Sequence, residues 1–150
     1  MGTILEFLGS DHHACDNLFA SAEDAVARND WDSARSVFGQ FQAAMARHLA
    51  MEEDVLFPAF ENRTGMRAGP TEVMRMEHAQ MRDLLEEMAR AVAAGDQDRY
   101  LGLSETLNML MQQHNLKEEN MLYPMSDRVL GADSTSVIQA MEANAGPRSA

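Results

Sequence analysis

The sequence predicts an all-α fold, an up-down-up-down antiparallel four-helix bundle. Three observations predict it. Apolar residues recur at 3-and-4 spacing through four long stretches, and short runs of turn residues separate those stretches. No segment alternates as a strand would. The second half of the chain also repeats the first, with matching histidines 66 residues apart. Two equivalent helical hairpins related by a pseudo-two-fold axis follow from that repeat, and short turns between long helices make neighbours antiparallel.

The first predicted helix runs from about Thr3 to Arg28. Its stripe is Leu5, Leu8, Cys15, Phe19, Ala22 and Val26, and His12 fills the gap in it. The second starts near Asp30 or Trp31 and runs to about Arg63, through Phe38, Phe41, Met45, His48, Glu52, Val55 and Ala59. Gly65 is its stop, free to take positive φ. Pro58 sits inside this helix and should kink it or loosen its last turns. Pro70-Thr71-Glu72 starts the third helix, which runs to about Ala94 through Met74, His78, Met81, Leu85, Met88 and Val92. After Gly95-Asp96 the fourth runs from about Gln97 to Val129, through Leu103, Leu107, Met111, His114, Glu118, Met121 or Leu122, and Met125, and Pro124 repeats Pro58. The bundle therefore occupies residues 1–130. Residues 131–150 form a tail, with a short helix over Ser134 to Ala143 and a frayed end from Gly146 to Ala150.

With 150 residues the chain can bury one sizeable core. Its 12 basic and 24 acidic residues give a formal charge of −12, which argues against nucleic acid or an anionic membrane as partner. The single cysteine, Cys15, allows no internal disulfide and fits a reducing compartment. Neither a signal peptide nor a run of about 20 apolar residues is visible. A cytoplasmic location is expected.

The chemistry lies in the repeat. His48-x-x-x-Glu52-Glu53-x-x-Leu56-Phe57-Pro58 returns as His114-x-x-x-Glu118-Glu119-x-x-Leu122-Tyr123-Pro124, and Asp11-His12 returns as Glu77-His78. A His-x-x-x-Glu pair sets two ligating side chains one turn apart on one helix face. His12, His48, Glu52, His78, His114 and Glu118 would otherwise bury six polar groups on apolar faces, two of them carboxylates, at several kcal/mol per unpaired charge. Metal bonds would satisfy the imidazoles and neutralise the carboxylates. Six ligands exceed the four of a closed zinc site. Divided between two ions, they give two histidines per ion and two carboxylates able to bridge, as in two-metal sites with ions roughly 3.5–4 Å apart. Iron is the favoured occupant, with manganese or zinc as alternatives. No histidine has Glu three residues before it, so the Glu-x-x-His pattern of carboxylate-rich bundles is absent.

In these motifs, and over about Thr3 to Leu130, the sequence resembles the hemerythrin-like, HHE cation-binding family. The resemblance implies a non-haem di-iron centre inside a four-helix bundle. O2 is the best-known ligand, and NO, peroxide, sensing and repair of damaged iron centres occur among other members. His12 and His48 would bind one iron, His78 and His114 the other, with Glu52 and Glu118 bridging. The oxygen carriers have a further histidine one turn before the third-helix histidine, where this chain has Met74. That departure implies a near-symmetric site and puts simple O2 storage in doubt. Repair members usually carry an added cysteine-bearing segment, whereas Cys15 is the one cysteine here. The expected function is binding of O2, NO or peroxide for sensing, storage or scavenging. Enzymatic turnover and iron-centre repair or metal delivery are the alternatives.

Phase separates the remaining candidates. His12 shares its face with Leu5, Leu8, Cys15 and Phe19, and His13 falls on a polar face. Asp11 and Glu77 are candidates to accept a ring N–H from a neighbouring ligand, and Glu53 and Glu119 are expected behind the ligands or at the surface. Cys15, Met45, Met74, Met81 and Met111 should line the core near the site as a soft, dry wall. Tyr123 matches Phe57 in the repeat, which argues for a packing role over a ligand role.

Overall fold

The computed structural model describes residues 2–145. Thr3 opens α1 (Ile4–Ala27) with a capping box, its hydroxyl accepting the Glu6 N–H while the Glu6 carboxylate accepts the Thr3 N–H. Asp30 and Asp96 cap α2 (Trp31–Met51) and α5 (Gln97–Lys117) with their side chains alone, accepting the N–H of Ser33 and Arg99. α3 (Phe57–Thr64) and α4 (Pro70–Ala94) each end on a left-handed glycine, Gly65 at φ 74° and Gly95 at φ 68°. α6 (Tyr123–Leu130), a 3-10 turn over Gly131–Asp133 and α7 (Ser134–Ala145) complete the described chain.

α1 packs on α2 and α5, and α4 packs on the same two helices, so the four close into an antiparallel ring. This is the bundle the sequence predicts. No helix among the described residues is long and apolar enough to cross a membrane.

The predicted kinks take a different form. α2 runs into α3, and α5 into α6, through π turns at Glu52–Leu56 and Glu118–Leu122. Phe57 N–H reaches back five residues to Glu52 O, and Tyr123 N–H does the same to Glu118 O. Pro58 has no N–H to give the Glu53 carbonyl. Arg75 Nη1 stands 3.5 Å from that oxygen instead. The helix is thus widened before the proline, not loosened after it.

Two apolar clusters fill the bundle. One holds Phe19, Phe38, Phe41, Leu85, Met88 and Tyr100. The other holds Ile4, Leu8, Leu56, Phe57, Phe60, Met74 and Tyr123 at the opposite end. The tail helix is part of the second cluster, because Ile138 and Met141 of α7 are buried in it. The predicted fraying from Gly146 onward lies outside the described residues. Asp127 ties the same end together by accepting the Ile4 and Leu5 N–H groups at 2.8 and 3.2 Å.

Candidate metal centre

A layer of buried polar side chains separates the two clusters. His12 comes from α1, His48 from α2, His78 from α4 and His114 from α5, while Glu52 and Glu118 open the two π turns. All six are between 0 and 4% exposed. They form two overlapping sets, His12-His48-Glu52-Glu118 and Glu52-His78-His114-Glu118, in which one ligand atom per residue lies within 4.8 Å of every other. The sets share both carboxylates. His13, one residue from His12, is exposed.

Every one of these histidines is held from behind. Asp11 Oδ2 lies 2.7 Å from His48 Nδ1, and Glu77 Oε1 lies 2.7 Å from His114 Nδ1. Glu53 Oε2 and Glu119 Oε2 hold Nδ1 of His78 and His12 at the same 2.7 Å. A carboxylate on Nδ1 fixes the ring and leaves Nε2 for the centre. Three of these acids are in turn held by cations: Asp11 by Arg47, Glu53 by Arg82 and Glu77 by Lys117. Among the described residues no Lys or Arg pairs with Glu119.

His12 Nε2 pairs with Glu118 Oε1 at 3.1 Å, and the other three Nε2 atoms crowd against the shared carboxylates without pairing off. His78 Nε2 lies 3.0 Å from Glu52 Oε1, and His114 Nε2 lies 3.2 Å from Glu118 Oε2. Neither contact is aligned as a hydrogen bond. Nε2 of His48, His78 and His114, with Glu52 Oε1 and Glu118 Oε2, are all buried without a hydrogen-bond partner. Buried orphans are rare, and five in one cluster ask for an explanation. A cation answers it, because all five atoms can offer a lone pair. These residues fit a metal site.

The titration behaviour has the same sense. Burial works against charging His12 and His78. Hydrogen bonds and charge from Glu118 on His12, and from Glu52 and Glu53 on His78, outweigh it and raise both to about 9. Burial, then the charge of Glu118, pushes the Glu52 carboxyl up. Glu118 lies well below its usual range, since contacts from Glu52, His114 and His12 overcome its burial. Glu53 is drawn down to about 2 against its burial by His78 and Arg82. His12, His78 and Glu52 are thus each shifted toward holding a proton, and a bound cation would supply the same positive charge.

Tyr123 corrects the sequence reading. Its ring lies 5.6 Å from that of His12, much as Phe57 stacks on His78 at 5.5 Å, so the packing role is real. Its hydroxyl also donates to Glu52 Oε2 and lies 2.9 Å from Glu118 Oε1 and 3.2 Å from His12 Nε2. Burial and the charges of Glu118 and Glu52 hold this phenol well above its ordinary pKa. A signal was present in the repeat. Tyr in place of a buried Phe brings a hydroxyl that needs a partner. The cations Arg47, Arg82 and Lys117 also went unread, because each meets its acid across helices.

The methionine wall is divided. Met45, Met81 and Met111, with Cys15 and Leu49, line a cavity of about 10 Å³ beside His12, His48 and His114. That is near the least space a water-sized molecule needs. Met74 lies on the other side of the polar layer, in the cluster with Phe57 and Tyr123. The position of the carriers' extra histidine is therefore apolar here.

Comparison with known proteins agrees with this geometry. The hemerythrin HHE cation-binding domain family matches residues 3–126. The iron-sulfur cluster repair protein YtfE of Edwardsiella ictaluri (strain 93-146) is 37% identical over 94 residues, which cover 56% of this chain and 41% of that protein. The chain thus spans less than half the length of this curated relative. No solved structure matches it. With four helices closed around a buried His/Glu cluster and a match over most of its length, the chain belongs to the hemerythrin HHE cation-binding domain family.

Proposed function

We propose that this chain is a non-haem di-iron protein that binds O2, NO or peroxide for sensing, storage or scavenging. One observation carries the reading: two four-residue sets, each with two histidines, share Glu52 and Glu118 in a buried layer. His12 and His48 would hold one iron, His78 and His114 the other, and the two glutamates would serve both. Bound iron supplies reversible one-electron chemistry and affinity for small diatomic molecules.

The chain's own residues do the rest. Asp11, Glu53, Glu77 and Glu119 fix the four rings and keep them basic. Met45, Met81 and Met111, with Cys15 and Leu49, give the cavity beside the centre a mainly apolar wall. The narrow cavity favours diatomic over larger ligands. The net charge of −12 disfavours nucleic acid and anionic membranes as partners.

A second reading is repair of iron centres or metal delivery. The likeness to a protein named for iron-sulfur cluster repair favours it. Metal analysis and a visible spectrum, recorded after anaerobic reduction and again in air, test the first reading. About two irons per chain, with a band that forms in air and reverses under vacuum, support a binder. Two irons that turn over peroxide or NO catalytically point to an enzyme. Iron lost to mild chelation, with restoration of damaged clusters, supports repair. Zinc alone, or no metal, overturns the di-iron reading.

A further inference from the structure

The centre is nearly symmetric, and the symmetry breaks first at one buried atom. Each histidine has its carboxylate, each half has its π turn, and each half has a ring at the start of the next helix. That ring is Phe57 beside His78 and Tyr123 beside His12. The Tyr123 hydroxyl has no counterpart in the other half.

Its surroundings are unusual for a phenol. The oxygen meets Glu52 Oε2, Glu118 Oε1 at 2.9 Å and His12 Nε2 at 3.2 Å. One phenolic proton faces two carboxylates and an imidazole, and it can satisfy one of them fully. Both carboxylates serve the two sets alike, and His12 is the neighbour that places the hydroxyl on the His12-His48 side. Two atoms bound side by side to an octahedral ion at about 2.1 Å lie about 3.0 Å from each other. The distances of 2.9 and 3.2 Å match such an edge. The phenol oxygen stands where a fellow ligand of His12 and Glu118 would stand.

The outer charges make the same distinction. Behind His78 and His114, Glu53 and Glu77 are balanced by Arg82 and Lys117. Behind His48 and His12, Arg47 balances Asp11, and no Lys or Arg among the described residues balances Glu119. The His12-His48 half thus has one more uncompensated acid. It calls for the more highly charged ion, and phenolate oxygen is a known ligand of iron.

We propose that Tyr123 is a seventh protein ligand, bound through its phenol oxygen at the His12-His48 position when that position holds ferric iron, so that the two metal positions are inequivalent. The inference rests on the dinuclear reading above. On binding, the O–H bond breaks, an oxygen–iron bond forms and the proton leaves to buffer, with no change in oxidation state.

The test is resonance Raman and visible spectroscopy on the chain loaded with ferrous iron and oxidised in air. The wild type should show a phenolate-to-iron band with enhanced tyrosine ring vibrations, which shift when the chain is made with ring-deuterated tyrosine. Of the two tyrosines, Tyr100 lies in the distant cluster, so Tyr100→Phe should keep the band. Tyr123→Phe should lose it entirely while iron content stays near two per chain. Absence of tyrosine-sensitive modes in a two-iron wild type, or an unchanged spectrum in Tyr123→Phe, overturns the proposal. Should Tyr123→Phe fail to fold, the isotope shift with the Tyr100→Phe control decides alone. Iron content separates the failures, because a chain that takes up no pair of irons overturns the dinuclear reading itself.

Discussion

Replacing Glu53 by alanine should weaken metal binding without unfolding the bundle. Glu53 is not in either four-residue set. It accepts from His78 Nδ1 at 2.7 Å and from both Arg82 terminal nitrogens at 2.8 Å. Glu53→Ala removes the acceptor that orients His78 and keeps its ring basic. Losing such a support costs about 10–100-fold in metal affinity, or about 1.4–2.8 kcal/mol. His78 itself is fully buried, and the Glu53 side chain is only 19% exposed, so the ring loses a largely sheltered acceptor. Arg82 adds little to the cost, because its side chain is 45% exposed and can hydrate. Glu53→Gln keeps an acceptor and loses the charge, so its loss should be smaller. The assay is competition between the chain and a chelator of known affinity, with circular dichroism as the check on folding. An affinity within about 2-fold of wild type in a folded Glu53→Ala would refute the claim that the outer acids tune the centre.

Other outcomes follow from the same geometry. His48→Ala or His114→Ala should abolish paired metal binding, measured as metal per chain, whereas the exposed His13→Ala should retain it. In the metal-free chain His12 and His78 titrate near 9, above the ordinary 6.5, so the stability they confer is complete below pH 6.5 and is lost as pH rises through 9. Thermal melts of chelated protein should therefore fall across that window, and a flat profile would contradict the assigned environments. Met81 is 1% exposed and borders the cavity, so Met81→Ala should cost about 2–5 kcal/mol in denaturant melts and speed NO binding in stopped flow.

Periodicity and repetition made the fold and the six central residues legible. His12 could be told from His13 because a 3.6-residue period leaves one phase for the core. Six polar residues in apolar phase, at one offset, left little besides a shared centre. What stayed hidden depends on neighbours in space. Asp11 serves His48, not its own neighbour His12, and no local pattern tells which helix an acid will meet. The π turns were invisible because the motif reads as continuous helix, and Pro58 signals a disturbance without giving its form. The match to Phe57 conceals Tyr123, because an equivalent position implies packing and says nothing of where the added hydroxyl reaches. Ile138 and Met141 looked like tail residues, since the sequence does not show that α7 folds back over the second cluster.

The Glu-Glu-x-x-Leu-aromatic-Pro motif works as one device. In a regular helix adjacent side chains point about 100° apart, too far for both glutamates to face one ring. The π turn has more residues per turn and narrows that angle. Glu52 and Glu53 can then address both nitrogens of His78, as Glu118 and Glu119 address those of His12. The proline keeps the turn wide, since it cannot supply the N–H that a tighter helix would use. The direction of these clasps matters. Asp11–His48 and Glu77–His114 lie within a hairpin, so each orients a ligand of its own half. Glu52-Glu53 reaches from the first hairpin to the second, and Glu118-Glu119 reaches from the second back to the first. Neither hairpin can complete its own set. Metal binding is therefore coupled to docking of the two halves, and its free energy becomes stability of the bundle.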